Sequence, residues 1–239
     1  MEGIESIKKV NNFKEGFKRG IPIGLGYISV SITFGMLAVR GGLDVSTALL
    51  ISMTNLTSAG QFAGVELILN NAIYIELALT TFIINIRYSL MSFAISQRLE
   101  KVSLLKRMLL SFGITDETYA LAALERGELS YKFMLGLMTC PYLGWALGTF
   151  IGAISTAFMP EKLQDSLGIA LYGMFLAIII PASKKDNAVL KAVVISSLMS
   201  IGFFYLPVLK NISSGFSIII CSIGGAIIMA KLKPVKEEE

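Results

Sequence analysis

The chain has 239 residues, of which 54% are apolar and 16% are charged, and its net charge is +4. Soluble domains carry about 25% charged residues, so this composition excludes an ordinary soluble protein and indicates an integral membrane protein. The sequence contains no histidine, which removes the commonest proton shuttle and the commonest metal ligand. Cys140 and Cys221 lie in apolar stretches and suggest neither a disulfide nor a metal site, so no cofactor is expected.

The first part of the chain combines basic residues with apolar residues at near-helical spacing. The apolar positions are Ile4, Ile7, Val10, Phe13 and Phe17. This pattern predicts a cytoplasmic amphipathic segment over 1–19 that lies on the inner membrane surface. The remaining basic residues cluster at the ends of apolar segments. Their charge therefore indicates contact with a lipid bilayer and does not indicate a nucleic-acid partner.

Eight apolar segments follow, and most of them are long enough to cross about 30 Å of hydrocarbon. They are 20–39, 45–69, 72–97, 103–125, 133–158, 165–181, 189–206 and 213–230. This pattern predicts an all-α polytopic membrane protein with a transmembrane domain over 20–230 and a cytoplasmic tail over 231–239. The second and fourth segments contain polar residues and glycines in their middle, which predicts broken or re-entrant helices there.

The distribution of Lys and Arg predicts the orientation of the chain. Basic residues cluster in the N-terminal arm and in 98–107, 184–191 and 231–236. Basic flanks favour the cytoplasmic side, so both termini are expected in the cytoplasm. Six crossings, with both interrupted segments re-entrant, place every basic cluster inside, whereas eight crossings place 98–107 outside. The sequence leaves six to eight membrane helices open.

Two short patterns in the sequence concern helix packing and symmetry. A pattern that begins at Asn71-Ala72 recurs at Asn187-Ala188, which suggests an internal inverted repeat of the kind found in many transporters. The fifth segment carries a small residue at every fourth position. These residues are Gly136, Cys140, Gly144, Gly148, Gly152 and Thr156. Such a stripe predicts close approach to a neighbouring helix in lipid.

The third segment carries Asn85 and Arg87 at its middle. A cation at the centre of a bilayer costs at least about 2.5 kcal/mol. Arg87 is therefore expected to face a partner, a cavity or a ligand, and Asn85 offers a polar group on the opposite side of the helix. The alternative is a purely structural ion pair.

Both interrupted segments offer candidate binding groups near the predicted depth of Arg87. In the second segment, a break at Ala59-Gly60, capped by Ser58 or Thr57, would start a new helix near Gln61, whose amide groups suit a carboxylate. The alternative is a continuous helix.

In the fourth segment, Gly113 is expected to end one helix and Thr115 to cap the next. Asp116 and Glu117 then either complement the helix dipole, pair with Arg87 or accept a proton. Glu66, near the membrane edge, is a further candidate for proton transfer.

Several of these motifs occur together in the order known from one protein family. They are Phe13 to Gly24, Phe34-Gly35, Ser58 to Phe62, Asn85 to Tyr88 and Thr115 to Glu117. The chain resembles the AzlC family, the large subunits of bacterial branched-chain amino acid exporters. The resemblance implies a small AzlD-type membrane partner of about four spans. In that family a histidine usually follows the arginine, whereas this chain has Tyr88, so no proton-transfer role is carried over to this position.

Taken with this resemblance, the sequence predicts a secondary transporter in the bacterial cytoplasmic membrane and not an enzyme. It is expected to export valine, leucine and isoleucine by alternating access, driven by the proton gradient. The substrate-binding candidates are Ala59, Gly60, Gln61, Asn85 and Arg87, and the proton-coupling or ion-pair candidates are Asp116, Glu117 and Glu66. The alternatives are a passive pore, an exporter of another small zwitterionic or carboxylate solute, and a scaffold subunit.

Overall fold

The computed structural model describes residues 12–125, 127–209 and 211–233, and these residues form ten α-helices. In chain order they are α1 (Phe13–Arg40), α2 (Val45–Thr54), α3 (Ser58–Leu69), α4 (Tyr74–Arg98), α5 (Leu104–Phe112), α6 (Asp116–Leu124), α7 (Tyr131–Ser155), α8 (Glu161–Lys185), α9 (Asn187–Tyr205) and α10 (Ser214–Leu232). The helices α1, α4, α7, α9 and α10 are long and apolar enough to cross a membrane, and α2 is a shorter apolar helix. The prediction of an all-α polytopic membrane protein is confirmed.

The described residues belong to two compact units. The first contains those of Met1–Gln61 and Asn85–Gln164, and the second contains those of Phe62–Ile84 and Asp165–Glu239. The division falls within α3 and within α4. The starts of α3 and α6 and the second half of α4 therefore belong to the same unit.

The two predicted terminal segments fall largely outside the described residues. Residues 1–11 of the predicted amphipathic stretch and residues 234–239 of the predicted tail are not among them. From Phe13 onward the chain is already in α1, and the Asn12 side chain caps this helix by accepting a hydrogen bond from the amide of Lys14 at 2.9 Å. The first membrane helix thus begins before residue 20, because Asn12 supplies the cap.

In the first unit, α1 and α7 run parallel and pack through their glycines. A Cβ at Gly24 would meet the carbonyl and sulfur of Cys140, and a Cβ at Gly144 would meet the backbone of Gly24. Further along, Gly152 lies against the backbone of Ile32. The small-residue stripe predicted on α7 therefore lies against α1. In lipid, hydrophobic burial does not drive two helices together, so close packing of their backbones stabilises this contact.

The predicted interruption of the second segment is present between α2 and α3. Asp44 caps α2 by accepting hydrogen bonds from the Ser46 hydroxyl and from the Thr47 amide at 2.9 Å. These bonds, with the Ser46 bond as the larger cause, lower the pKa of the Asp44 carboxyl. A bond of 2.7 Å between Ser52 and Thr149 ties α2 to α7. The helix ends at Thr54, and α3 begins at Ser58.

The fourth segment is interrupted as predicted, and α5 and α6 form a hairpin whose two ends meet. The Glu100 amide donates to the Leu129 carbonyl at 2.9 Å, and the Leu129 amide donates to the Arg98 carbonyl at 2.7 Å. The Arg98 side chain then donates to carbonyls at and just beyond the end of α6, including those of Ala123 and Gly127, both at 3.2 Å. The Ala123 carbonyl is one of those that the end of a helix leaves without an internal partner. The chain therefore leaves this hairpin on the side from which it entered.

In the second unit, α9 and α10 pack against each other through small residues. The Ser196 hydroxyl donates to the Cys221 carbonyl at 3.2 Å, and Gly225 gives Ser196 the space it occupies. Large apolar side chains face outward, including Leu198 (62% exposed) and Ile227 (51% exposed). An apolar outer surface on helices of this length is the surface expected of lipid contact.

The contact between α1 and α7 can be tested with two glycines on the same helix. We expect Gly24→Leu to lower the stability of the purified protein by about 1–3 kcal/mol or more, because the new side chain overpacks against α7. Gly26→Leu is the matched control, since nothing lies within 4 Å of a Cβ at that position. The measurement is thermal unfolding in detergent. Equal stability of the two variants would contradict the packing described for α1 and α7.

Candidate functional site

The middle of α4 connects the two helix breaks of the first unit. Arg87 lies near the centre of this 25-residue helix, about 20 Å from its start at 1.5 Å per residue. Asn85 contacts the break before α3, and Arg87 contacts the start of α6. Asn85 and Arg87 therefore reach different breaks, and the two breaks lie close together, since the Tyr88 hydroxyl accepts from Arg87 and donates to Thr57 Oγ1 at 3.4 Å. Both breaks lie at about the depth of the centre of α4.

Arg87 forms an ion pair inside the first unit. Its Nη2 lies 2.9 Å from Asp116 Oδ2 and donates to the Tyr88 hydroxyl at 3.2 Å. The guanidinium carbon lies 5.0 Å from the centroid of the Tyr88 ring, which adds a cation–π contact. Arg87 Nε is buried and has no hydrogen-bond partner among the described residues. The guanidinium thus keeps one donor available beside its existing partner.

The break before α3 is fixed by Thr57. Its hydroxyl donates to Asn85 Oδ1 at 2.8 Å and accepts a bond of 3.4 Å from the Gly60 amide. The helix therefore begins at Ser58, and Ala59 and Gly60 lie in its first turn and do not form the break itself. A cap by Thr57 or Ser58 was predicted, and Thr57 is the cap; the helix begins directly after it, at Ser58, and not near Gln61.

Gly60 is needed for a close approach between α3 and α4. A Cβ at this position would lie 2.8 Å from Thr57 Cγ2 and 3.1 Å from both polar atoms of the Asn85 amide group. The residue thus makes room for the Asn85 side chain at the helix start.

The start of α6 follows the predicted capping arrangement. Gly113 ends α5, and Thr115 and Thr118 cap α6 reciprocally, with the Thr115 amide donating to Thr118 Oγ1 at 2.8 Å. Asp116 and Glu117 occupy the first turn, where negative charge complements the helix dipole. Asp116 pairs with Arg87 as well, so it has two of the three roles that the sequence left open.

A chain of contacts links Glu117 to the start of α3. The Tyr27 hydroxyl donates to Glu117 Oε2 at 2.5 Å, and the Tyr27 ring packs edge-on against Trp145 with centroids 5.2 Å apart. Trp145 Nε1 in turn donates to Gln61 Oε1 at 2.7 Å. The two helix starts are therefore connected through α1 and α7.

Gln61 lies inside this chain of contacts. Its side chain is fully buried, and its Nε2 donates to the Ile51 carbonyl at 3.1 Å near the end of α2. Because both ends of its amide are paired within the protein, a ligand does not reach it in this conformation. Gln61 holds α2, α3 and α7 together across the break.

Sequence reasoning missed Tyr27 and Trp145. Trp145 is the only tryptophan of the chain, and an indole N–H in an apolar helix needs a hydrogen-bond partner. That requirement was the available signal. For Tyr27, which lies on the packed face of α1, the sequence offered no comparable signal.

Two neighbouring cavities lie at the breaks. The smaller one has a volume of about 10 Å³, roughly what one water molecule needs. Its lining is mostly polar and consists of Tyr27, Leu56, Thr57, Ser58, Tyr88, Thr115, Asp116, Glu117 and Trp145. The larger one has a volume of about 150 Å³ and is lined by Thr54, Asn55, Leu56, Thr57, Asn85, Tyr88, Ser111, Phe112 and Ile114. The cavities share Leu56, Thr57 and Tyr88, so the small polar cavity adjoins the larger, partly apolar cavity.

Glu66, the remaining candidate, belongs to the second unit. It lies on the part of α3 that follows Gln61, and its side chain is exposed. The cluster of the first unit contains the other predicted site residues, namely Ala59, Gly60, Gln61, Asn85, Arg87, Asp116 and Glu117.

Comparison with known proteins identifies the family. Residues 22–159, from α1 to just beyond the end of α7, match the family described as AzlC protein. The chain belongs to the AzlC family. This is a family of membrane transport proteins, and the matched residues include every member of the site cluster in the first unit.

The relatives of this AzlC-family chain are membrane proteins. An uncharacterized membrane protein of Archaeoglobus fulgidus is 29% identical over 89% of this chain and 99% of its own length. The inner membrane protein YgaZ of Escherichia coli is 26% identical over 82% of this chain and 84% of its own length. An uncharacterized membrane protein of Helicobacter pylori strain J99 is 24% identical over 73% of this chain and 77% of its own length. No solved structure matches significantly.

The close approach at the α3 start gives a test within one helix. We expect Gly60→Ala to destabilise the protein by about 1–3 kcal/mol, because the methyl group overpacks against Thr57 and Asn85. Gly64→Ala is the control, since the nearest atom to a Cβ there is a Leu77 methyl at 3.7 Å. Alanine favours a helix over glycine by up to about 1 kcal/mol, so the control is expected to be neutral or stabilising. If thermal unfolding shows the two variants alike, Asn85 does not pack against the helix start as described.

Proposed function

We propose that this protein is a secondary transporter that exports branched-chain amino acids, such as valine, leucine and isoleucine, across the cytoplasmic membrane. The observation that carries the proposal is the Arg87–Asp116 ion pair at the centre of a membrane helix, with Arg87 Nε left unpaired beside a helix start. A zwitterionic amino acid carries the charges that such a pair recognises. Membership of a transport family supports the general activity.

The substrate carboxylate binds to Arg87 in this mechanism. A guanidinium presents donors that match the two oxygens of a carboxylate, and the unpaired Nε supplies one of them. The first amides of α3, those of Ser58 and Ala59, have no partner within the helix and carry its positive dipole end. When the carboxylate takes over Arg87, Asp116 becomes free to meet the substrate ammonium group.

The aliphatic side chain of the substrate enters the larger cavity. Leu56, Phe112 and Ile114 form its apolar lining, and the cavity adjoins the polar one through shared residues. The combined space is smaller than the roughly 300 Å³ at the lower end of common ligand pockets. The breaks at Asn55 to Thr57 and at Gly113 to Thr115 therefore have to open for binding, as alternating access requires.

The charges of the site supply a reason for proton coupling. Asp116 and Glu117 bring two carboxylates to the cluster, and Arg87 compensates one of them. The Glu117 carboxylate has the Tyr27 hydroxyl as its donor instead of a cation. A proton on this group neutralises the excess charge at membrane depth, which gives the transporter a way to couple solute movement to a proton gradient. The exposed carboxylate of Glu66 is a second candidate acceptor.

We further propose six crossings with both termini in the cytoplasm. The α5–α6 hairpin returns to the side from which it enters, so the basic residues of 98–107 stay on one side with the start of α7. With the break between α2 and α3 also re-entrant, the basic ends of α8 and α10 reach that same side. The family resemblance adds a small AzlD-type membrane subunit as the partner.

The central experiment measures efflux from cells preloaded with dipeptides of valine, leucine or isoleucine. We expect the wild-type chain, expressed with a small AzlD-type partner, to accelerate efflux in a manner that an uncoupler abolishes. Arg87→Ala is expected to abolish this efflux, because the carboxylate loses its partner and Asp116 is left unpaired. Ser89→Ala, on an exposed face of the same helix, is the matched control and should export normally.

The amount of each variant in the membrane is measured in parallel. Normal export by Arg87→Ala would place the substrate site elsewhere. Efflux that is insensitive to an uncoupler and never uphill would indicate a passive pore.

The side-chain cavity gives a second test. We expect Phe112→Ala to enlarge it and to shift preference from valine toward larger amino acids such as methionine and phenylalanine. Each methylene accommodated in such a pocket is worth about 10–200-fold in selectivity. Leu109→Ala, on the same helix but outside the lining of this cavity, is the control. Competition for export among these amino acids is the measurement. Unchanged selectivity in Phe112→Ala would show that the side chain binds elsewhere.

A further inference from the structure

A buried carboxylate in the second unit lies outside the site described above. Glu76, in the first turn of α4, is 4% exposed. Its Oε1 accepts a hydrogen bond of 3.0 Å from the Gly215 amide at the start of α10. Among the described residues no basic side chain forms an ion pair with it. A buried carboxylate that stays ionised needs a cation or several hydrogen-bond donors, and the described residues supply Glu76 with one amide donor.

Thr80, one turn further along α4, also faces Gly215 at the start of α10. Its hydroxyl is fully buried and has no hydrogen-bond partner in the described part of the chain. The position that a Cβ of residue 215 would take lies 2.5 Å from Glu76 Oε1 and 2.7 Å from Thr80 Oγ1. Both oxygens therefore face the start of α10, and Gly215 is the residue that gives them room.

We propose that Glu76, Thr80 and the start of α10 form a proton-binding site. In the ionised form the carboxylate accepts from the Gly215 amide, and the positive dipole end of α10 favours its charge. When a proton binds to the carboxylate, the new O–H group finds an acceptor in the unpaired Thr80 hydroxyl. The proton that binds to Glu76 is the only atom transferred in this step. Each protonation state therefore has its own partner, and protonation weakens the hold of α4 on the start of α10.

This site suits a driving proton that arrives from outside, whereas Glu117 is the acceptor beside the solute; the assignment rests on the proposed function. With the proposed six crossings and the N-terminus in the cytoplasm, α4 and α10 both begin near the outer face, where an inward-moving proton arrives. In the part of the chain that the structure describes, the Gly215 amide on α10 and the Thr80 hydroxyl on α4 face the carboxylate. Glu76 would bind the proton from outside, whereas Arg87 and Asp116 bind the solute.

The key variant is Glu76→Gln, which keeps an acceptor for the Gly215 amide but does not ionise. Infrared difference spectra of the purified protein, recorded as the pH is lowered, detect protonated carboxyl groups without any substrate. We expect a carboxyl band that disappears in Glu76→Gln, changes frequency in Thr80→Val and remains in Glu128→Gln, the exposed control. If Glu76→Gln removes no band, or if the lost band is insensitive to Thr80→Val, the proton site is overturned.

A second readout separates this inference from the proposed function. In proteoliposomes, we expect Glu76→Gln to exchange branched-chain amino acids at the wild-type rate and to lose export driven by a proton gradient. Gradient-driven export by Glu76→Gln at the wild-type level would overturn the coupling role. If the wild-type protein moves no branched-chain amino acid, the proposed function fails, and the infrared spectra still decide whether Glu76 and Thr80 bind a proton.

Discussion

The first unit depends on how α4 holds the ends of two interrupted helices. Asn85 bonds to Thr57 at one break, and Arg87 pairs with Asp116 at the other. Broken helices expose backbone amides, and at membrane depth such amides need partners from the protein, water or a ligand. The side chains at the centre of α4 supply part of this requirement. Without these side chains, the exposed amides at both breaks would lack partners near the middle of the membrane.

The same contacts explain why the site is polar but closed. Tyr27, Trp145 and Gln61 connect the two helix starts through direct contacts, and the space left at the polar end is about that of one water molecule. A closed polar pocket beside a larger, partly apolar one is a suitable starting point for alternating access. Movement at either break would open a route to the solute without unfolding a spanning helix, since α1 and α7 are locked together by glycine contacts.

Much of this arrangement follows from the sequence. A cation at mid-span is costly, so the sequence predicted a partner for Arg87. The start of α6 was predicted correctly from Gly113, Thr115 and the two acids that follow. The start of α3 was predicted a few residues late, because a threonine cap and a glycine break leave similar local patterns. The buried state of Gln61 and the contact between Tyr27 and Glu117 depend on which distant helices pack together. No spacing within a single segment contains that information.

The most direct test of the account asks whether the solute occupies the helix breaks. Ser58→Cys, in a background with Cys140→Ala and Cys221→Ala, places a thiol at the start of α3 on the lining of the polar cavity. The rate of its labelling by a small thiol reagent is measured with and without valine or leucine. The account predicts that these amino acids slow labelling at residue 58 and leave Ser103→Cys, at the exposed start of α5, unaffected. Labelling of Ser58→Cys at the same rate with and without saturating valine or leucine would contradict it.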